Sequence, residues 1–402
     1  MAASTSGQPP NLIDARTGSI ALGIFLLMLP VTAVVPLLYE LTEGRFPGSS
    51  EFEQHLFMSA TLTGSLMSSL IAGLLSDQLG RRKSLIVPAL FIYSGCLLLM
   101  YGPWPYPVHL LLRFVEGAAQ MVALVLGMTM MADMAPASQK GRAMGLAGAA
   151  LSLGVATGTV LGGRMDPEAA AAIFIIGGLA MLALAIVAAV GLQDTSQPRS
   201  AERLRDMVRV VLKRRALLIP YTFTFVDRLT VGFIISTVSL YLATVIGLSP
   251  AGIGTAMAAF LLPYAVLTYP AGWLCDRVSP IALMAAGSVG YGAFLMLLGF
   301  ANGDTLIVLM LAGGVIAALM LAPSLLLTVR LSETAKATGL GGFHLSGSLG
   351  FALGPMLSVG VLAAFRSVGL DPYPGVFIVF GLFEMACVVL LLPWLIRLHR
   401  SQ

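Results

Sequence analysis

Charge is what this sequence has least of. Only 10% of its 402 residues are Asp, Glu, Lys or Arg, while 57% are hydrophobic. Soluble proteins carry roughly 25% charged residues, so this chain cannot cover a water-soluble surface, and a polytopic membrane protein is expected. Cysteine is scarce too. Cys96, Cys275 and Cys387 fall in or at the ends of different apolar stretches, with no metal-type spacing. That argues against a disulfide scaffold or a metal site. No Walker loop, no Rossmann glycine pattern after a strand and no zinc-binding helix motif occurs. ATP-driven pumping and redox catalysis therefore have no residues to support them. A protein that is not an enzyme and has no cofactor or metal is expected.

What is present is a series of apolar runs of about 20 residues, long enough to cross a bilayer. Twelve recur, at 17–39, 54–76, 84–102, 106–132, 143–163, 169–191, 218–246, 252–274, 280–301, 305–329, 339–365 and 374–396. Residues 1–16 are polar and lack the basic region and apolar core of a secretory signal, and they read as a cytoplasmic tail. The basic residues alternate sides. All but five of the 23 Lys and Arg fall in segments that are cytoplasmic if the N-terminus is. Arg45, Arg164 and Arg366 fall outside, and Arg113 and Arg228 lie within spans. This positive-inside bias places both termini in the cytoplasm. The basic charge then orients the chain and implies no nucleic-acid partner.

The longest polar stretch lies in the middle, so the chain divides into a six-span bundle at 17–192, a cytoplasmic linker at 193–217 and a second bundle at 218–398. Leu204, Val208, Val211 and Leu212 in the linker have helical spacing between basic residues, which suits either a helix on the inner membrane face or a solvated connection. The halves echo each other. Gly73, Leu75 and Asp77 match Gly272, Leu274 and Asp276, and Gly154 and Gly158 match Gly350 and Gly354. The offsets, 272 − 73 = 199 and 350 − 154 = 196, are nearly equal, which indicates a duplicated unit. Repeats of this kind mark transporters whose substrate site lies between the halves near the bilayer midplane.

The connection after span 2 reads GLLSDQLGRRK. Its Gly73, Asp77, Gly80, Arg81 and Arg82, with six spans on either side of the central linker, resemble the major facilitator superfamily across essentially the whole chain. The resemblance implies an all-α membrane fold of twelve helices in two pseudo-symmetric six-helix bundles. It also implies a latch between conformational states, in which Asp77 and Arg81 work with an acid at the end of span 4, here Asp133. The chemistry of the loop is independent of the family. A carboxylate at Asp77 can face a helix N-terminus, Gly80 permits a tight turn, and Arg81 can fold back toward Asp133. A pure topology signal is the alternative.

Arg113, Glu116 and Gly117 in span 4 resemble a further motif of the superfamily. Charges in a bilayer are costly and normally face a protein interior or wet cavity, so the pair is either structural or handles protons or substrate. GVATGTVLGG in span 5 resembles the glycine motif of the drug/proton antiporter group at Gly154, Gly158, Gly162 and Gly163, with Thr159 where that group has proline. The spacing also serves close helix packing. Asp227 and Arg228 in span 7 and Glu384 in span 12 are the remaining ionisable residues at mid-span. At a rise of ~1.5 Å per residue, Glu116, Asp227 and Glu384 each fall about 15 Å from a membrane face. They are ranked in that order as proton sites, with an interior salt bridge as the alternative for Asp227 and Arg228. Pro30 and Pro36 predict kinks in span 1. Glu40 is its only acidic residue, and it lies near the outer end. His344 in span 11 is read as a packing residue.

The spans contain much Met, Phe, Leu and Thr, with 21 Met and 19 Phe in the chain. Flexible Met surfaces adapt to varied apolar partners. The expectation is a monomeric carrier in a bacterial inner membrane, bathed in membrane lipids, that exports a small lipophilic or amphipathic molecule against protons by alternating access. A lipid or lysolipid carrier, an organic-anion uptake symporter using Arg113 and Arg228, and a non-transporting membrane sensor remain open.

Overall fold

The computed structural model describes residues 15–79, 81–134, 140–194, 215–275, 277–332 and 336–400. Apart from short connections, these residues are helical. The twelve long helices are α1 (Ala15–Ala33), α2 (Glu51–Leu79), α3 (Lys83–Met100), α4 (Tyr106–Met134), α5 (Lys140–Gly163), α6 (Ala172–Gly191), α7 (Leu218–Phe233), α8 (Pro250–Leu274), α9 (Pro280–Leu298), α10 (Gly303–Ser332), α11 (Lys336–Ser367) and α12 (Pro372–Arg400). Eleven stretches of helix are long and apolar enough to cross a membrane, and α2, with 29 residues, completes the set of twelve. Large apolar side chains from helix after helix are exposed, among them Val190, Val266, Val308 and Leu390. That is the surface a protein presents to lipid rather than to water.

Two helices are interrupted. Pro30 lies inside α1, and Pro36 has no N–H to donate, so the chain passes through a 3₁₀ turn at Val35–Leu37 before a last turn at Leu38–Leu41. The α7 helix widens into a π segment at Ile234–Val238 and resumes over Ser239–Thr244. Such segments reorient side chains and recur at functional sites.

Packing repeats with a shift of six helices. Within the first half α1 lies on α5, α2 on α4 and α3 on α6. Within the second α7 lies on α11, α8 on α10 and α9 on α12. The repetition extends to single residues. A side chain on Gly154 would strike Phe25 and one on Gly158 would strike Leu29, while Gly350 and Gly354 abut Phe225 and Leu229 in the same manner. The duplication read in the sequence is thus a duplication of contacts. The halves meet along two equivalent seams, α5 against α8 and α2 against α11.

The linker residues 195–214, and with them the expected interfacial helix, lie outside the described residues, as do residues 1–14, Gly80, the surroundings of Gly73 and the side chain of Asp77.

Candidate functional site

The connections α1–α2, α5–α6, α7–α8 and α11–α12 share the face of the bundle opposite the chain termini, here called the distal face. There the halves are bonded directly. Ser239 Oγ donates to the Val35 carbonyl at 2.6 Å. Arg366 on α11 pairs with Glu51 on α2, its Nη2 donating to Oε1 at 3.0 Å, and Tyr373 O–H donates to the same oxygen at 3.3 Å. The fully buried His55 on α2 joins Thr237 Oγ1 in the π segment at 2.9 Å, and Thr237 donates to Ser358 Oγ on α11 at 2.5 Å. Gly163 meets Pro250 and Gly254 across the α5–α8 seam. Beside this seal, Arg45 ties the α1–α2 connection to the Met100 and Tyr101 carbonyls, each at 2.8 Å. The Gly48 N–H and the Ser49 hydroxyl donate to Glu43 and hold its carboxylate below the usual range.

At the opposite face Arg82, not the expected Arg81, bonds Asp133, Nε to Oδ2 at 2.6 Å. Arg82 is buried and Arg81 is exposed. The reason is local: Arg82 occupies the N-cap of α3, next to the end of α4, and Arg81 is a residue too early. Asp194, after α6, meets the N-terminus of α3. It accepts from the Arg82 and Lys83 N–H groups at 2.9 and 3.2 Å.

Mid-membrane, the two halves carry charge differently. In the first, Arg113 Nη1 bonds Glu116 Oε2 at 2.5 Å, and neither side chain has any exposed surface. The guanidinium also stacks 4.9 Å from the Phe57 ring. Glu116 Oε1 and Thr61 Oγ1, neighbours across the α2–α4 contact, have no hydrogen-bond partner. In the second half Asp227 and Arg228 form a looser pair, 3.8 Å from Nε to Oδ2, with side chains 14% and 31% exposed. Asp227 lines a small cleft between α7, α9, α10 and α11, with Phe223, Thr224, Ser288, Met320, Ser324 and Phe343. Arg228 turns toward Gly347 on α11 and Tyr264 on α8, the helices by which this half meets the other. Glu384 on α12 is fully buried behind the cleft. Glu40 sits half-buried after the break in α1, close to the distal face. His344 is exposed and does not pack in the core.

Sequence reasoning therefore found the charged residues. It missed their neutral company, Tyr264, Ser288, Tyr291 and Ser324, and it missed the seal residues His55, Thr237, Ser239 and Ser358. None of these stands out in an apolar helix, and only the fold brings them together. The glycines of span 5 have a packing account: Gly154, Gly158 and Gly162 face α1, and Gly163 faces α8.

Two six-helix halves, joined by narrow seams and holding charge at mid-membrane, define a multi-pass secondary transporter that binds small molecules and is not an enzyme. The family model for the Major Facilitator Superfamily matches residues 20–226 and, a second time, 221–402, and the chain belongs to that superfamily. It is 25% identical over 321 residues to the 3-(3-hydroxy-phenyl)propionate transporter of Escherichia coli (strain K12), covering 76% of each protein. Its fold is similar to that of a nucleoside transporter, with a TM-score of 0.79, 12% identity and 95% and 99% of the two chains covered. A bacterial homologue of the human lysosomal transporter Spinster, crystallised inward-facing and unoccupied, gives a TM-score of 0.74 at 16% identity, with 96% of each chain covered.

Proposed function

We propose that the protein is a proton-coupled carrier of a small organic acid with an apolar, ring-like body. In this reading the membrane is a bacterial inner membrane, and the terminal face is cytoplasmic, which the distribution of basic residues supports. The observation that carries this reading is the contrast between the two ion pairs. Arg113–Glu116 is tight and enclosed, while Asp227–Arg228 is long, partly exposed and beside a cleft. A long pair exchanges partners readily. A substrate carboxylate that takes Arg228 from Asp227 leaves the Asp227 carboxylate without its counter-charge in an apolar site, where it gains a proton. Anion and proton then cross together. Asp227 thus ranks ahead of Glu116, which has no exposed atom. Phe223, Met320 and Phe343 suit an apolar substrate body, in keeping with the substrate named for the E. coli relative.

Export of lipophilic molecules against protons is the second reading, favoured by the apolar side of the same cleft. Proteoliposomes separate the two. With 3-(3-hydroxyphenyl)propionate as probe, an inward proton gradient should accelerate uptake, and Asp227→Asn should keep exchange of labelled for unlabelled probe while losing the gradient effect. Acceleration by an outward proton gradient instead would establish antiport.

A further inference from the structure

The deepest polar group of the second half is Glu384, and the carrier scheme above leaves it unused. It lies 12 residues into α12, about 18 Å along the helix at 1.5 Å per residue. Its side chain has no exposed surface, and both carboxyl oxygens lack a hydrogen-bond partner. Its nearest polar neighbours are Ser288 on α9 and Thr230 on α7. Ser288 Oγ and the Tyr291 hydroxyl, both fully buried, are also unpartnered. Half of the eight buried unpartnered side-chain atoms among the described residues therefore gather in this one chamber. It is no packing accident, because Gly292 and Gly381 bring α9 and α12 into backbone contact beside it, with Glu384 Cβ against Gly292.

The balance of charge sharpens the point. The titratable groups around Glu384 are Asp227 on α7, Tyr291 on α9 and Cys387 on its own helix, while Arg228 on α7 faces Asp227 and Tyr291 and is approached by Tyr264 on α8 and His344 on α11. Among the described residues the nearest arginine, Arg228, already faces Asp227, and no cation acts on Glu384. A bare carboxylate at this depth costs several kcal/mol. Buried hydroxyls left unsatisfied add to that cost. One monovalent cation removes both deficits, because it neutralises the carboxyl and the hydroxyl oxygens complete its coordination or hydrogen bonding. A single negative charge does not match a divalent ion.

We infer that the chamber of Glu384, Ser288 and Tyr291 is a site for one monovalent cation, a proton or Na⁺, which adjoins the cleft of the substrate-facing pair Asp227–Arg228 through Ser288. Thr230 connects the two. It lies beside Glu384, and its hydroxyl donates to the Asp227 carbonyl at 2.7 Å; the Asp227 and Glu384 carboxyls also act on each other directly, so occupancy of the chamber is felt at the cleft. Its use as a coupling site rests on the carrier reading, whereas its existence does not.

The test reads the site without any substrate. Infrared difference spectra of the full chain in lipid nanodiscs, taken as pH is raised, should show loss of a protonated-carboxyl band that is absent from Glu384→Gln and retained in Asp227→Asn. Addition of Na⁺ at constant pH distinguishes the ions, since loss of the same band means that Na⁺ takes the site and insensitivity means a proton site. Ser288→Ala and Tyr291→Phe keep the carboxyl and should shift the midpoint of the change. Spectra of Glu384→Gln that superimpose on wild type under both pH and Na⁺ would overturn the inference. A transport arm follows in proteoliposomes: Glu384→Gln should retain probe exchange while gradient-driven accumulation falls to the level seen without a gradient. A wild-type protein that moves no probe refutes the substrate reading and leaves the infrared test of the cation site standing.

Discussion

At the scale of single residues, the enclosed Arg113–Glu116 pair makes a prediction opposite to that for the open pair. Both side chains are without exposure and 2.5 Å apart. Removing one partner leaves an uncompensated buried charge, which costs roughly 3–5 kcal/mol, whereas replacing both with apolar or neutral groups is close to neutral. Glu116→Gln is therefore expected to lower the melting temperature of the detergent-solubilised protein sharply, because it strands a buried guanidinium that cannot lose its proton. Arg113→Met should do so less, because the Glu116 carboxyl left behind can take up a proton, and the double substitution should recover most of the loss. Melting curves of the four proteins form a complete cycle. A double variant no more stable than Glu116→Gln would mean that the pair has a role other than mutual neutralisation. The charged residues were the legible part of the site, because a charge in a 20-residue apolar run stands out whatever its role. Which role each plays was not legible. Arg113 and Glu116 share a helix face by spacing alone, but their enclosure depends on Phe57 and Thr61 from a helix some fifty residues away. Likewise Arg81 and Arg82 are equivalent in the sequence, and only the position of the α3 N-cap makes Arg82 the one that reaches Asp133.

At the scale of helices, almost everything was legible. Each of the twelve helices overlaps its apolar run, since a bilayer permits no other way to satisfy the backbone of a spanning segment. The breaks in α1 follow from its prolines, but the π segment of α7 carries no such mark, and it is this segment that turns Thr237 toward the other half. Glycine content alone also failed to separate packing positions from idle ones. Gly354 and Gly360 sit less than two turns apart on α11. An added methyl group at Gly354 would come within 2.9 Å of the Phe233 backbone nitrogen, and at Gly360 it would meet nothing within 4 Å. Alanine is favoured over glycine in a helix by about 1 kcal/mol. Gly360→Ala is thus expected to stabilise the protein slightly, while Gly354→Ala forces α7 and α11 apart and destabilises it. Opposite shifts in melting temperature would verify the close contact. Equal shifts would show that the α7–α11 seam adjusts freely.

At the scale of the whole molecule, the distal bonds join the halves at that face. Alternating access requires two states separated by a few kcal/mol, and each seal bond biases the balance toward the distally closed one. Most of these bonds are single hydrogen bonds of buried hydroxyls, and each is worth about 1 kcal/mol. The Ser239 contact with Val35 is the simplest to remove, because Ser239→Ala deletes one bond and leaves no large cavity. The carbonyl of Val35 retains its place in the 3₁₀ turn, where it also accepts the N–H of Leu38. Adding Thr237→Val cuts the link between His55 and Ser358. Of the bonds lost, two join the halves, Ser239 to Val35 and His55 to Thr237, and at about 2 kcal/mol together they amount to a shift of roughly thirtyfold in the equilibrium. Nitroxide labels on cysteines introduced at the exposed Pro47 and Ser249, one in each half, report the opening as a distance distribution. The three native cysteines are buried and should remain unlabelled. The double variant is expected to gain a longer-distance population that is minor in the wild type. An unchanged distribution would place control of the distal seal in the Glu51–Arg366 pair, for which Glu51→Gln in the same labelled background is the next measurement.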